Sequence, residues 1–308
     1  MRVPVLFLVF LCIAVLPGGG GGGRDAIPPF YVQEGIAVAD LDLDGLADVV
    51  VAETYIAGPP PHPGSVAIHR QTPGGVFMAP VSYPVGTDPW GLAVGDINGD
   101  DFPDILVANS TAQSVSILIQ DAAEPGHFVA AREVMTGGTP YAVAISDVNG
   151  DGAADLVVAL QNTGGGATVL YQDPDIALSF DRRIALVVDS GAIAIAVADL
   201  NQDGLPDVVS CGAQVTVFFQ EPGGDTFAPV ALADGGVRPG AAAVADMNGD
   251  GSNDLVVAHR GNAADGSGAT IAVLLQASEY PGTFLPKLEV PVAAGARQLA
   301  IGQLDADL

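Results

Sequence analysis

The residues best suited to chemistry in this sequence are acidic and amide side chains that alternate along five short segments. Alternate residues of a tight loop can direct their oxygens inward together, and Ca²⁺ takes about six to eight oxygen ligands. The segments therefore predict five calcium sites, each with ligands at positions one, three, five and nine and a backbone carbonyl at position seven. The predicted side-chain ligands are Asp40, Asp42, Asp44, Asp48, Asp96, Asn98, Asp100, Asp104, Asp147, Asn149, Asp151, Asp155, Asp199, Asn201, Asp203, Asp207, Asp246, Asn248, Asp250 and Asp254.

The sixth position of each segment and the missing ligand types support this choice of metal. Position six is glycine except for Asp101 in the second segment, and we expect a left-handed backbone there, which glycine adopts freely and aspartate tolerates. Mg²⁺ fits less well because it demands a compact octahedron and retains its waters. Transition metals favour imidazole or thiolate ligands. The histidines, which show no ligand spacing, are His62, His69, His127 and His259.

Acidic segments of this kind also form β-turns whose side chains stay in water, an interpretation that needs no metal. Five copies in register favour the metal interpretation. The five segments hold 17 of the 36 acidic residues, so without a cation the carboxylates of each loop would repel one another. We therefore expect removal of the cation to lower stability.

The segments recur about every fifty residues, so the repeat is the unit of structure. Short apolar stretches rich in β-branched residues precede and follow each segment. A third strand ends in Gln, a turn follows, and a Phe opens a fourth strand. These pairs are Gln71 and Phe77, Gln120 and Phe128, Gln172 and Phe180, Gln220 and Phe227, and Gln276 and Phe284. Four antiparallel strands per repeat make one propeller blade. The predicted fold is all-β: a β-propeller of five complete four-stranded blades and the start of a sixth.

A sixth copy of the acidic segment begins near the C-terminus, with Gln303, Asp305 and Asp307 at its first three ligand positions. It stops before position six, so its ligand set is incomplete. A propeller closes when its first and last blades meet and leave no free sheet edge. We therefore expect a fragment or truncated reading frame, with a propeller over residues 30–308 that is incomplete at its C-terminus.

The Asp-x-Asn-Gly-Asp-Gly-x-x-Asp pattern between strands resembles FG-GAP or VCBS repeats, the family that includes the propellers of integrin α-subunits. The resemblance covers residues 30–308. It implies calcium binding, a ring of more than five blades and a bacterial-type exported protein. The function it implies is a calcium-stabilised recognition or adhesion scaffold that binds a protein or glycan partner outside the cell.

The N-terminus predicts export. Residues 1–17 join a basic residue to an apolar run too short to span a bilayer comfortably, which is typical of a cleaved signal peptide. The glycine-rich residues 18–29 predict a flexible tether. Lipid anchoring through Cys12 is the disfavoured alternative, because Cys12 lies inside the apolar run. We expect a secreted, periplasmic or cell-surface protein; after cleavage only Cys211 remains, so no internal disulfide can form.

The formal net charge of −26 argues against nucleic acids and anionic membranes as partners. We expect a protein or glycan partner at the turns opposite the acidic segments. The candidate contacts there, aromatic and Arg residues of the kind found at recognition hot spots, are Trp90, Tyr141, Arg238 and Arg297. The alternative is that a Trp at the start of an inner strand packs in the central channel.

We expect no enzymatic activity, because the sequence lacks a nucleophile elbow, a His-centred triad, a phosphate loop and paired catalytic carboxylates outside the acidic segments. Some polysaccharide lyases carry calcium-bearing propellers, so the alternative is the propeller part of a polysaccharide-processing enzyme. The ten Lys and Arg residues of this chain show no cluster suited to abstract a sugar proton. A third possibility is that activity resides in a region beyond Leu308. The glycosylation sequon at Asn109 is interpreted as accidental.

Overall fold

The computed structural model describes residues 30–56, 61–162, 165–188, 190–223, 225–232, 236–262, 264, 267–293, 295, 299 and 301. The regular structure in these ranges is entirely β-strand, and they contain no helix of the length and apolarity that a bilayer span requires. The predicted signal peptide, the predicted tether, Arg297 and the acidic residues of the sixth copy lie outside the described residues.

The described residues form 22 strands. Their bounds in chain order are β1 (Phe30–Ala39), β2 (Asp48–Ile56), β3 (Gly64–His69), β4 (Gln71–Thr72), β5 (Val76–Phe77), β6 (Val81–Val85), β7 (Pro89–Gly95), β8 (Asp104–Asn109), β9 (Ser114–Leu118), β10 (Arg132–Met135), β11 (Pro140–Ser146), β12 (Asp155–Leu160), β13 (Gly166–Tyr171), β14 (Arg182–Val187), β15 (Ala194–Ala198), β16 (Asp207–Cys211), β17 (Val215–Gln220), β18 (Phe227–Leu232), β19 (Pro239–Ala245), β20 (Asp254–Arg260), β21 (Ala269–Leu274) and β22 (Leu288–Pro291).

Five four-stranded antiparallel sheets form five blades. Blade 1 contains β1, β2, β3 and β6, and blades 2 to 5 contain β7 to β10, β11 to β14, β15 to β18 and β19 to β22. The remaining strands, β4 and β5, pair as a short hairpin between the third and fourth strands of blade 1. This arrangement confirms the predicted all-β propeller of four-stranded blades.

The predicted Gln and Phe pair with each other in blades 1, 2, 4 and 5, but among the described blades the Phe begins the fourth strand in blade 4 only. There Gln220 pairs with Phe227 at the start of β18. In blade 2, Gln120 and Phe128 form an isolated bridge and the fourth strand begins at Arg132. Phe128 is buried in the apolar cluster between blades 1 and 2. Its side chain therefore serves packing between blades, and strand pairing resumes after it.

The apolar cores lie between successive blades. Leu106 and Ile117 of blade 2, for example, pack with Leu156 and Phe180 of blade 3. Strands β8, β9, β12 and β13 are buried along their whole length because a neighbouring element covers each face. Double coverage explains why these strands are almost continuously apolar and do not alternate.

The first strands of successive blades stand side by side, in the order β1, β7, β11, β15 and β19. Glycine permits close approach in this row, since a Cβ placed on Gly91 would lie 2.6 Å from the backbone oxygen of Tyr141. After β22, Leu299 and Ile301 pack against Met247 and Val256 of blade 5. They lie where the first strand of a further blade is expected, so the sixth blade is partial.

Candidate metal centres

Each acidic segment forms the loop between the first and second strands of a blade. We name these loops 1 (40–48), 2 (96–104), 3 (147–155), 4 (199–207) and 5 (246–254). In every blade the first strand ends immediately before position one, and position nine is the first residue of the second strand. The repeated sequence therefore places equivalent side chains at equivalent points of five hairpins, which is the arrangement that repeated binding sites require.

The Asp at position nine is fully buried in all five loops and is fixed by two backbone N–H donors. In loop 2, Asp104 accepts from the Ile97 N–H at 3.1 Å and from the Gln120 N–H at 2.8 Å. The first donor is position two of the same loop and the second is the end of the third strand. The other loops repeat this arrangement at 2.7 to 3.1 Å. Position nine thus ties the loop to three strands.

Burial acts against the ionised form of these carboxylates. It raises the pKa of Asp104, Asp155 and Asp207 to about 6, and the backbone donors only partly offset it, while the acids at positions one and five add to the rise. Burial also raises the pKa of Asp254. A nearby cation favours the charged form of a carboxylate. The loops therefore carry an electrostatic cost that a bound divalent ion would remove.

The Asp at position one organises the turn. In loop 5, Asp246 accepts from the Gly249 N–H at 2.7 Å and from the Gly251 N–H at 2.8 Å. Donation by Gly251, followed by the other backbone donors, lowers the pKa of Asp246. Hydrogen bonds of this kind stabilise the ionised form, so position one is poised as a carboxylate ligand.

The left-handed backbone predicted at position six is confirmed in all five loops. The φ angle is 86° at Gly45 and 68° at Asp101. Position four is also left-handed, which the sequence reasoning missed. The φ angle there is 58° at Leu43 and 60° at Gln202, and glycine occupies the position in loops 2, 3 and 5. The recurrent Gly at position four was the available signal.

Positions three and five form a side-chain pair in the four loops that carry Asn at position three. In loop 2, the Asn98 Nδ2 donates to Asp100 at 2.9 Å, and the Asn98 Oδ1 accepts from the Asp100 N–H at 3.0 Å. The Asp at position five also accepts from the N–H of position seven, as Asp100 does from Phe102. These oxygens already have donors, so a bound cation would have to share or replace them.

Loop 1 has the arrangement that best fits a cation. The carboxylates of Asp40, Asp42 and Asp48 each place an oxygen within 4.8 Å of the others. The Asp42 Oδ1 is buried without a hydrogen-bond donor, and burial, then Asp48 and Asp44, raise the pKa of Asp42. Arg70, 3.7 Å from the other oxygen, offsets only part of this. A divalent ion bound by these carboxylates would satisfy the buried oxygen.

Among the described residues, loop 1 is the one group of three acidic side chains with oxygens so close together. The Asp44 carboxylate of the same loop accepts from the Leu46 N–H at 2.8 Å and is not part of this group of three. The predicted ligands of loops 2 to 5 lie in equivalent loops, with an amide in place of the third-position carboxylate. These residues fit Ca²⁺, which accepts carboxylate, amide and carbonyl oxygens alike.

The predicted partner contacts lie at the other end of the first strands. Trp90 and Tyr141 are the second residues of β7 and β11, and their rings pack together with centroids 4.7 Å apart and planes at 41°. Both are half-buried, so part of their surface serves contact between blades 2 and 3. Arg238 is exposed next to β19, with φ at 58°, whereas Arg297 lies outside the described residues. The sequon residue Asn109 is fully buried.

Comparison with known proteins agrees with this repeat geometry. The model of the FG-GAP-like repeat matches residues 40–107, 100–158, 147–210 and 199–257. The chain belongs to the FG-GAP-like repeat family. Each match begins at or within an acidic loop and ends within the second strand of the next blade, so the family pattern follows the loops and strands described above.

This FG-GAP-like chain is also similar to parts of larger proteins. Integrin alpha pat-2 of Caenorhabditis briggsae is 26% identical over 228 residues, which cover 64% of this chain and 18% of that protein. The protein of the same name from Caenorhabditis elegans is 25% identical over the same length. The chain thus spans less than a fifth of these relatives, and the similarity concerns that part alone.

One solved structure similar to this FG-GAP-like chain shares its architecture. The periplasmic gluconolactonase PpgL of Pseudomonas aeruginosa superposes with a TM-score of 0.54 at 18% identity, over 85% of this chain and 72% of that one. The rhamnogalacturonan lyase YesX gives a TM-score of 0.48 at 13% identity, over 88% and 50%. The likeness to PpgL, at 18% identity, concerns the architecture alone.

Proposed function

We propose that this chain is a calcium-stabilised extracellular recognition scaffold that binds a protein or glycan partner and has no enzymatic activity of its own. The observation that carries the proposal is the loop 1 carboxylate group, in which the buried Asp42 Oδ1 has no donor and three acids converge within 4.8 Å. Four further loops of the same sequence pattern occupy the same place in their blades.

The place of the loops supports a structural role for the ions. Position nine is buried at the meeting point of three strands, so an ion bound there would hold the blade together. Calcium sites of extracellular modules have dissociation constants of about 10⁻⁴ to 10⁻³ M. Sites of that strength fill outside the cell, in keeping with the predicted export and with the similarity to integrin alpha chains.

Recognition is assigned to the face opposite the loops. Rigid blades that present turns of different length are a common basis for specificity, and Arg238 is exposed on this face. Aromatic and Arg side chains dominate many interaction hot spots. Trp90 and Tyr141 supply an aromatic surface, namely the part of each ring that remains accessible after the two rings pack together.

The proposal is tested by calcium-dependent binding. The full chain is applied to a glycan array and to immobilised extracellular-matrix proteins, in calcium and in chelator, next to a polysaccharide lyase assay. We expect retention in calcium that is weakened by Arg238→Asn, since Asn tolerates the left-handed backbone, and preserved by Arg132→Asn, an exposed arginine on β10. Lyase products, or binding indifferent to calcium and to both variants, would refute it.

A further inference from the structure

A row of buried glutamines lies at the ends of the third strands in blades 2 to 5. Each backbone N–H donates to the position-nine Asp of its own blade, at 2.7 to 2.8 Å. The residues are Gln120, Gln172, Gln220 and Gln276. A buried amide side chain also requires hydrogen-bond partners for its own donors.

Three of these amides reach across to the preceding blade. The Gln172 Nε2 donates to the backbone oxygen of Ile97 at 2.9 Å, and the Gln220 Nε2 donates to that of Val148 at 2.8 Å. The Gln276 Nε2 likewise donates to the backbone oxygen of Leu200. All three acceptors occupy position two of the acidic loop in the preceding blade.

Position two is the residue that orients the buried carboxylate of its loop. Ile97 donates its N–H to Asp104 at 3.1 Å, while its carbonyl accepts from Gln172. Gln172 in turn donates its backbone N–H to Asp155 of its own blade at 2.8 Å. A continuous path of hydrogen bonds therefore runs from Asp155 in loop 3 to Asp104 in loop 2.

We propose that Gln172, Gln220 and Gln276 are positioning residues for the cation loop of the preceding blade, and that they couple neighbouring loops. The inference rests on the proposed calcium function. Partners that orient metal ligands strengthen metal binding without touching the ion. Each glutamine holds position two in the place from which its N–H meets the position-nine carboxylate, so order in one loop favours order in the next.

Gln120 provides a matched control. Its Nε2 donates to Pro103 at 2.7 Å and its Oε1 accepts from the Gly126 N–H at 2.5 Å. Gln172 makes the equivalent bonds within its own blade, to Ala154 at 2.9 Å and from Leu178 at 2.5 Å. Within the described part of the chain, Gln120 makes no bond to the preceding blade. The two residues differ in the bond to Ile97.

The test compares Gln172→Met with Gln120→Met in the full chain, because Met keeps the length of the side chain and removes its donors. Calcium is titrated while amide signals of Gly45, Gly99 and Gly152 report on loops 1, 2 and 3 by NMR. We expect Gln172→Met to weaken binding in loop 2 about fivefold beyond its effect in loop 3, the factor that one net hydrogen bond provides. Gln120→Met leaves loop 1 unchanged.

The outcomes separate this inference from the proposed function. A wild-type chain that shows no calcium-dependent signals refutes the proposed function. A wild-type chain that binds calcium, with loop 2 equally strong in Gln172→Met, refutes the positioning role alone. Hydrogen–deuterium exchange without metal gives a second readout: peptide 96–104 must exchange faster in Gln172→Met, whereas peptide 40–48 keeps its rate in Gln120→Met. Gln220→Met must repeat the effect on loop 3, and equal exchange in all variants contradicts the coupling.

Discussion

Asp104 accepts a hydrogen bond from the backbone N–H of Gln120 at 2.8 Å, across 16 residues of chain. Its second oxygen accepts from Ile97 at 3.1 Å. One carboxylate thus joins the loop, the second strand and the end of the third strand. The same relationship recurs in every described blade, so the predicted metal ligand and the architecture of the blade depend on the same atoms.

Replacement of this carboxylate by an amide separates its two roles. Asp104→Asn can no longer accept from both N–H groups, and a buried unsatisfied donor costs about 1–3 kcal/mol. We expect that loss in chelator and a larger loss in calcium, since the amide is also a weaker ligand. The free energy of unfolding is measured by denaturant titration in both conditions. Asp173→Asn, outside the loops, is the charge-matched control, and equal losses in calcium and chelator would contradict the ligand role.

We expect the metal-free chain to lose stability as the pH rises towards neutrality. Asp104, Asp155 and Asp207 have folded pKa values of about 6, raised by burial from 3.8. The folded state therefore binds these protons more tightly than the unfolded state does. Their stabilising contribution is complete below pH 3.8 and is lost as the pH rises through about 6, by about 1–3 kcal/mol for each group.

Thermal unfolding in chelator at pH values from 4.5 to 7.5 measures this effect. We expect the melting temperature to fall over that range, and the stabilisation by added calcium to grow over it because the ion competes with protons. Asp246 and Asp250, whose pKa values are lowered by hydrogen bonds, contribute in the opposite sense, but they lose their contribution only below pH 3.8. A metal-free melting temperature that rises steadily to pH 7.5 would contradict the burial effect.

Loop 1 differs from the others because position three is an acid. Asp42→Asn removes a carboxylate that Asp48 and Asp44 repel, so we expect a more stable chain in chelator and weaker calcium binding in loop 1. The reverse change, Asn98→Asp in loop 2, is the matched control and must act in the opposite direction. Calcium titration calorimetry with parallel melting curves checks both. Two variants that shift the curves in the same direction would contradict the charge argument.

Close packing between first strands predicts a contrast within β7. A Cβ on Gly91 would meet the Tyr141 backbone oxygen at 2.6 Å, whereas one on Gly95 would meet only the end of the Ile145 side chain at 3.1 Å. We expect Gly91→Ala to destabilise the fold by about 1–3 kcal/mol, a usual cost of overpacking, and Gly95→Ala to have little effect. Denaturant unfolding measures both, and equal values would contradict the packing.

Much of the fold could be predicted from sequence because the same local sequence pattern recurs five times. Apolar stretches on both sides of each acidic segment predict the blade, and glycine at position six predicts the left-handed turn found there. The position at which the fourth strand resumes in blade 2 could not be predicted, because Phe128 is drawn into the core with blade 1, which a reading of single strands does not show.

The sequence predicted the residue types of the candidate sites. It did not predict how the geometry differs from one loop to another. The sequence distinguishes Asp42 from Asn98, yet only the fold shows that Asp42 has a buried oxygen without a donor. Gln172 marks a strand end in the sequence, whereas its bond to Ile97 joins residues 75 positions apart. Long-range hydrogen bonds between repeats leave no local pattern, so they emerge only when the blades are placed side by side.

Calcium binding by the acidic loops is measured by equilibrium dialysis of the full chain against about 1 mM ⁴⁵Ca²⁺, at the upper end of the dissociation constants expected for extracellular sites. We expect several bound ions per chain, fewer when Asp42, Asp104 and Asp155 are replaced together by Asn, and a higher melting temperature in the calcium-loaded protein. No bound calcium, with identical melting curves in calcium and chelator, would contradict it.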